Sequence, residues 1–143
     1  MAEPILREVT LTLPMLPDME IAASKTATAL AEFMNMDPDQ IDEVRMAVVE
    51  ACINAFEHSG ADDAKVYMTF AVLGEPEPRE LRILIRDNGV GFSPQEISDP
   101  KIEEKIVATS KRGWGLKIIR GLMDEVAIES GHDGTTIRMS KFV

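Results

Sequence analysis

The sequence predicts an α+β fold: a two-layer sandwich in which one sheet is covered by helices. Three observations carry that expectation. Segments with the alternation of strands come in hairpin-like pairs, 64–73 with 81–87 and 126–130 with 135–142. Two long stretches with helical spacing, 18–35 and 38–58, stand together ahead of the first pair. A third helical stretch, 114–126, precedes the second pair. No internal repeat interrupts this order, so one domain spanning 1–143 is expected, long enough to bury a core.

The elements follow in chain order. Residues 7–13, REVTLTL, alternate apolar and polar and include β-branched residues, as a strand does. PMLPDM then breaks the chain with two prolines, and Asp18 stands where a helix cap would. The next helix starts at MDPDQ, where Pro38 suits a first turn. On it Ile41, Val44, Val48, Ala51, Cys52 and Ala55 form an apolar stripe, with Glu43, Glu50, Asn54 and Glu57 expected roughly opposite. GEPEPRE is read as the hairpin loop of the first strand pair and GHDG as the turn of the second. Residues 88–113 are too long for an ordinary connection and read as a functional loop or lid, with a short helix near 102–107. In the helix that follows, Leu116, Ile119, Leu122 and Met123 point inward.

Composition narrows the function classes. The formal net charge of −10 argues against a nucleic-acid binder, whose footprint is a basic patch, and against attraction to anionic membrane. The first ten residues lack the pattern of a secretory signal. No run approaches the roughly 20 apolar residues of a membrane span. The lone cysteine, Cys52, excludes an internal disulfide and a multi-cysteine zinc site, and reads as core filler. A cytoplasmic protein is expected.

Four segments carry residues able to do chemistry. VVEACINAFEHSG sets Glu50, Asn54 and His58 four residues apart, on one side of a helix. Taken alone, Glu50 with Glu43 and Glu57 would be a solvated face, and His58 a helix-end residue. RDNGVGF ends a strand with Asp87, then supplies Gly89 and Gly91 for positive φ or close backbone approach. SKRGWGL puts Lys111, Arg112, Gly113 and Gly115 around a helix start, where backbone amides face anions, with Trp114 between the glycines and Leu116 just after. GTTIRM opens the last strand with Thr135.

In this order the four segments resemble the nucleotide site of the family that includes DNA gyrase B, MutL and sensor histidine kinases, from about residue 44 to 139. The resemblance implies the Bergerat ATP-binding fold, with a mixed, mostly antiparallel sheet covered on one face by helices. It implies ATP and Mg²⁺, with Asp87 reading the adenine amino group, Asn54 as the metal ligand and Glu50 as general base. Gly89, Gly91, Lys111, Arg112, Gly113, Gly115, Leu116 and Thr135 complete the implied nucleotide site. Within that family, E-x-x-x-N-A-x-x-H, D-N-G-x-G-F and G-W-G-L-x-I-I-x-x-L-M-D-E-V are similar to the bacterial anti-sigma factor serine kinases, and the run GLMDEVAIES especially so. That likeness implies phosphorylation of a serine on an anti-anti-sigma (STAS) protein, sequestration of a sigma factor, and a homodimer. The competing readings are a nucleotide-gated binding module with little or no transfer, and a simple ATPase.

Overall fold

Residues 4–90 and 112–143 are described by a computed structural model, the side chains of residues 112–114 excepted. Five strands form one sheet: β1 (Ile5–Pro14), β2 (Lys65–Gly74), β3 (Pro78–Asp87), β4 (Glu125–Gly131) and β5 (Gly134–Phe142). Their order across the sheet is β1-β2-β3-β5-β4, and every described pair is antiparallel. Three helices are described, α1 (Met19–Phe33), α2 (Pro38–His58) and α3 (Arg112–Leu122). None of them is long and apolar enough to cross a membrane.

Strand alternation decides which sheet face the helices cover. Val66, Met68, Phe70 and Val72 of β2, Leu81, Ile83 and Ile85 of β3, and Ile137 and Met139 of β5 are buried on one face. They belong to one core with Ala23, Ala27 and Ala31 of α1, Val44, Val48, Ala51 and Cys52 of α2, and Leu116 and Ile119 of α3. Each fully buried large side chain there contributes about 2–3 kcal/mol. Alternate positions, including Tyr67, Arg86 and Arg138, form the open face of the sheet. Cys52 sits deep in the core, its Sγ 3.8 Å from Met68 Sδ, and burial, with the nearby Glu20 charge, pushes its thiol up to about 12.

The helix starts differ from one another. Asp37 accepts a 2.8 Å bond from Gln40 N–H, and the Gln40 side chain accepts from Asp37 N–H at 3.2 Å, a complete capping box with Pro38 in the first turn. Asp18 occupies the cap position of α1 but does not cap it. Its φ of 74° is left-handed, whereas a capping carboxylate needs extended backbone to reach the first-turn amides.

Three boundaries are corrected. The first hairpin loop is only residues 75–77, because Pro78 already begins β3, a place where a strand tolerates its missing N–H. α3 ends at Leu122 rather than running to residue 126, and β4 begins at Glu125. The cause is a polar anchor: Asp124 N–H donates to Ser140 O at 3.0 Å while Asp124 Oδ2 accepts Phe142 N–H at 2.7 Å. Buried Lys141 completes it, donating to Leu122 O at 2.7 Å with Glu43 Oε2 at 3.4 Å. On the other side Gln40 Nε2 donates to Phe142 O at 3.0 Å, so the end of β5 holds both the start of α2 and the end of α3. The helix expected near 102–107 lies outside the described residues.

Candidate functional site

α2 and α3 run antiparallel, since Lys141 links Leu122 to Glu43 while Gly115 meets Glu50 and Asn54. Gly115 makes the second contact possible. A Cβ there would stand 2.9 Å from Glu50 Oε1 and 3.0 Å from Asn54 Nδ2. The start of α3 is thus seated directly on the two polar groups of α2. Asn54 is only 4% exposed, so it does not share the outward face expected with Glu43 and Glu57; the close approach of α3 covers it. Glu50 is half-buried. His58, one turn beyond Asn54, has Nε2 3.7 Å from Glu57 Oε2.

A second cluster forms where β3 ends. Asp87 continues the inward series of Ile83 and Ile85 and is 3% exposed. Its Oδ1 accepts Gly89 N–H at 2.8 Å, and its cross-strand partner on β5 is Thr135. Thr135, 2% exposed, has its hydroxyl 2.7 Å from Ser130 Oγ. Gly134 packs on the Asp87 carbonyl so tightly that a Cβ would collide with it, at a φ of 138° that favours glycine. Gly89 is needed for a similar reason: a side chain there would strike the Ser59 carbonyl and hydroxyl.

The two clusters are joined through the end of α2. Ser59 O accepts Val90 N–H at 3.0 Å, so the segment after Asp87 is stitched onto the helix that carries Glu50 and Asn54. Ser59 follows Asn54 by five positions, about 7.5 Å along a helix axis. A strand-end carboxylate, a threonine, a carboxamide and a carboxylate are therefore arrayed along one end of the helix–sheet seam.

A cavity of about 360 Å³ near these residues does not lie between Glu50 and Gly115. It wraps the tip of the β4–β5 hairpin, lined by Arg86, Asp87, Asn88, Glu129, Ser130 and Thr136 among others. Since Arg86, Glu129 and Thr136 lie on the open sheet face, this cavity touches the candidate site only at Asp87 and Thr135.

Other site expectations fall elsewhere. Leu116 is fully buried in the core, so it would reach a ligand only through its backbone. Arg112, Gly113 and Trp114 lie in the first turn of α3, their side chains outside the described set. Gly91 and Lys111 lie outside the described residues. Gly134, Ser59, Asp63 and Asn88 are structural neighbours of the site that the sequence did not single out. The positive-φ glycine closing GHDG was the one visible sign among them.

Comparison with known proteins agrees with this architecture. Residues 13–141 match the family described as Histidine kinase-like ATPase domain. The chain is 27% identical over 141 residues to the Serine-protein kinase RsbW of Bacillus subtilis, covering 94% of this chain and 85% of that one. It is 32% identical over 122 residues to the protein of the same name from Bacillus licheniformis, covering 82% and 74%. Among solved structures, the RsbU and RsbW domains of a Mycobacterium tuberculosis protein match 95% of this chain and 32% of that one, with TM-score 0.68 and 19% identity, a likeness of fold. The chain belongs to the histidine kinase-like ATPase domain family, and its α+β sandwich is the ATP-binding fold of that family.

Proposed function

We propose that this chain is an ATP-dependent protein-serine kinase that also acts as an anti-sigma factor, with the serine of an anti-anti-sigma (STAS) protein as phosphoryl acceptor. The observation that carries the reading is the seating of Gly115 on Glu50 and Asn54. It brings the Glu50 carboxylate and the Asn54 carboxamide beside a helix start, whose amides and positive dipole end suit phosphates. The name shared by the Bacillus relatives supports serine kinase activity.

The residues divide the work. Asp87 presents a buried carboxylate at a strand end, a charge-assisted acceptor for an adenine amino group. Its bond from Gly89 N–H fixes the carboxyl plane, and Thr135 lies opposite. Glu50 takes the proton of the attacking serine hydroxyl. Asn54 would supply a hard oxygen for Mg²⁺, which asks few ligands of a protein when phosphates and water provide the rest. When bound, that ion would neutralise charge on the phosphate oxygens. Gly89, Gly91, Gly113, Gly115, Lys111 and Arg112 complete the proposed phosphate side, with Leu116 contributing backbone only.

The net charge of −10 also bears on the partner switch. A phosphoserine adds about −2 to the acceptor, which favours its release from an acidic kinase and frees a surface for the sigma factor. Exposed apolar side chains at Leu16 and Ile21 support a contact surface around α1 for a partner or a second copy. A cytoplasmic location and a homodimer belong to the same proposal.

The test is transfer from γ-labelled ATP, with Mg²⁺ and lysate of the source organism, by wild type beside Glu50→Gln. The expected result is a small labelled protein carrying phosphoserine with wild type alone. Labelling that survives Glu50→Gln removes Glu50 as base. No labelling by protein that binds ATP replaces the kinase with a nucleotide-gated binding module.

A further inference from the structure

We propose that Asp63 is a positioning residue for the nucleotide site: by holding Asn88, it fixes Asp87 at a set distance from the groups on α2. The inference rests on the ATP reading above. Asp63 lies in the segment that follows α2, on the surface. Its Oδ2 accepts from Tyr67 OH at 2.7 Å and from Asn88 Nδ2 at 3.1 Å, and its Oδ1 accepts Lys65 N–H at 3.3 Å. Arg86 grips the other end of the Asn88 amide, its Nη1 donating to Oδ1 at 2.9 Å, and its guanidinium lies 4.7 Å from the centre of the Tyr67 ring. The Asn88 side chain is therefore held at both its oxygen and its nitrogen, one residue beyond the carboxylate proposed to read the base.

The bond between Val90 N–H and Ser59 O adds a second tie two residues further on. Residues 88 and 90 are thus fastened to residues 63 and 59, the direct continuation of the helix bearing Glu50 and Asn54. Gly89 between them lets the two backbones touch. A rigid link between β3 and the end of α2 sets how far the base-reading end of a nucleotide lies from its phosphate end. A near-attack geometry is sensitive to shifts of about 1 Å, so such a link matters to chemistry it never touches.

Global stability does not account for the network. Asp63 and Asn88 are exposed, and exposed polar pairs contribute little to folding. A local turn needs only the Asp63–Lys65 bond, whereas the contact to Asn88 joins segments 25 residues apart. The Tyr67 hydrogen bond lowers the Asp63 carboxyl from its ordinary value, in keeping with a carboxylate that accepts from both Tyr67 and Asn88.

The test measures affinity for Mg-ATP and Mg-GTP, with thermal midpoints, in wild type, Asp63→Ala and Asp63→Asn. Asp63→Ala is expected to weaken ATP binding about tenfold, the effect of one misaligned charge-assisted hydrogen bond, and to shrink the ATP-over-GTP preference. Its thermal midpoint should stay within about 2 °C of wild type. Asp63→Asn keeps an acceptor oxygen and should restore ATP affinity to within about threefold. Wild-type affinity and selectivity in Asp63→Ala would overturn the inference and leave the ATP reading intact, as would equal loss of ATP and GTP binding together with a large fall in midpoint. A wild-type protein that binds no ATP overturns the nucleotide reading, and this inference with it.

Discussion

Gly115 lies against Glu50 with no room for a methyl group: a Cβ on Gly115 would stand 2.9 Å from Glu50 Oε1. The closeness has two consequences of opposite sign for a Gly115→Ala variant. Alanine favours a helix over glycine by about 1 kcal/mol. The added methyl, however, must displace Glu50 or the start of α3. We expect a thermal midpoint within a few degrees of wild type and a loss of phosphoryl transfer of about a hundredfold or more, measured by single-turnover kinetics. Full activity in a folded Gly115→Ala protein would detach this contact from catalysis.

Gly134→Ala tests the other cluster. The new Cβ would meet the Asp87 carbonyl, which is backbone and cannot swing away, at a φ that alanine rarely adopts. Chemical denaturation should show a loss of about 2–4 kcal/mol. Asp87 sits at the point of collision, so the ATP affinity of the surviving folded protein should fall as well.

Lys141→Met keeps the aliphatic stem of the side chain and removes the ammonium that serves Leu122 O and faces Glu43. A buried carbonyl that loses its donor costs about 1–3 kcal/mol, which urea titration should register. Pairing the change with Glu43→Gln in a double-mutant cycle should recover part of the loss, because both partners of one contact are then neutral.

Cys52 makes stability depend on alkaline pH. Burial raises its thiol from 9.0 to about 12 in the folded chain. Its contribution is therefore complete below about pH 9, and it falls as pH climbs towards 12, because only the unfolded chain gives up the proton in that window. Between pH 8 and about pH 10, wild type should lose more stability than Cys52→Ala in parallel urea titrations. Identical slopes would show that the thiol ionises equally in both states.

Periodicity carried most of the fold. Alternation in residues 66–72 and 81–87, and the apolar stripe from Val44 to Ala55, name the buried faces, because burial is what selects those patterns. The candidate site residues were chosen from spacing and from family likeness. Proximity across the chain was not. Asn54 is polar by type yet buried, because a glycine 61 positions later lets α3 come down over it. Asp18 has the residue type of a cap but not the backbone angle, which one-dimensional sequence does not display. Asp63 looks like an ordinary turn residue until its partner across the fold, Asn88, is known.

The strand order also dictates when the site comes into being during folding. The hairpins β2–β3 and β4–β5 and the α1–α2 pair join neighbours in sequence, so they close small loops. The β3–β5 pairing, which ends at Asp87 and Thr135, must close a far longer one across α3. Contacts with that much chain entropy to overcome form late and are the first to part. A nucleotide bridging Asp87 and Thr135 would then act on the unfolding rate and leave the refolding rate nearly unchanged. Saturating ligand would lengthen the lifetime of the native protein without hastening its birth.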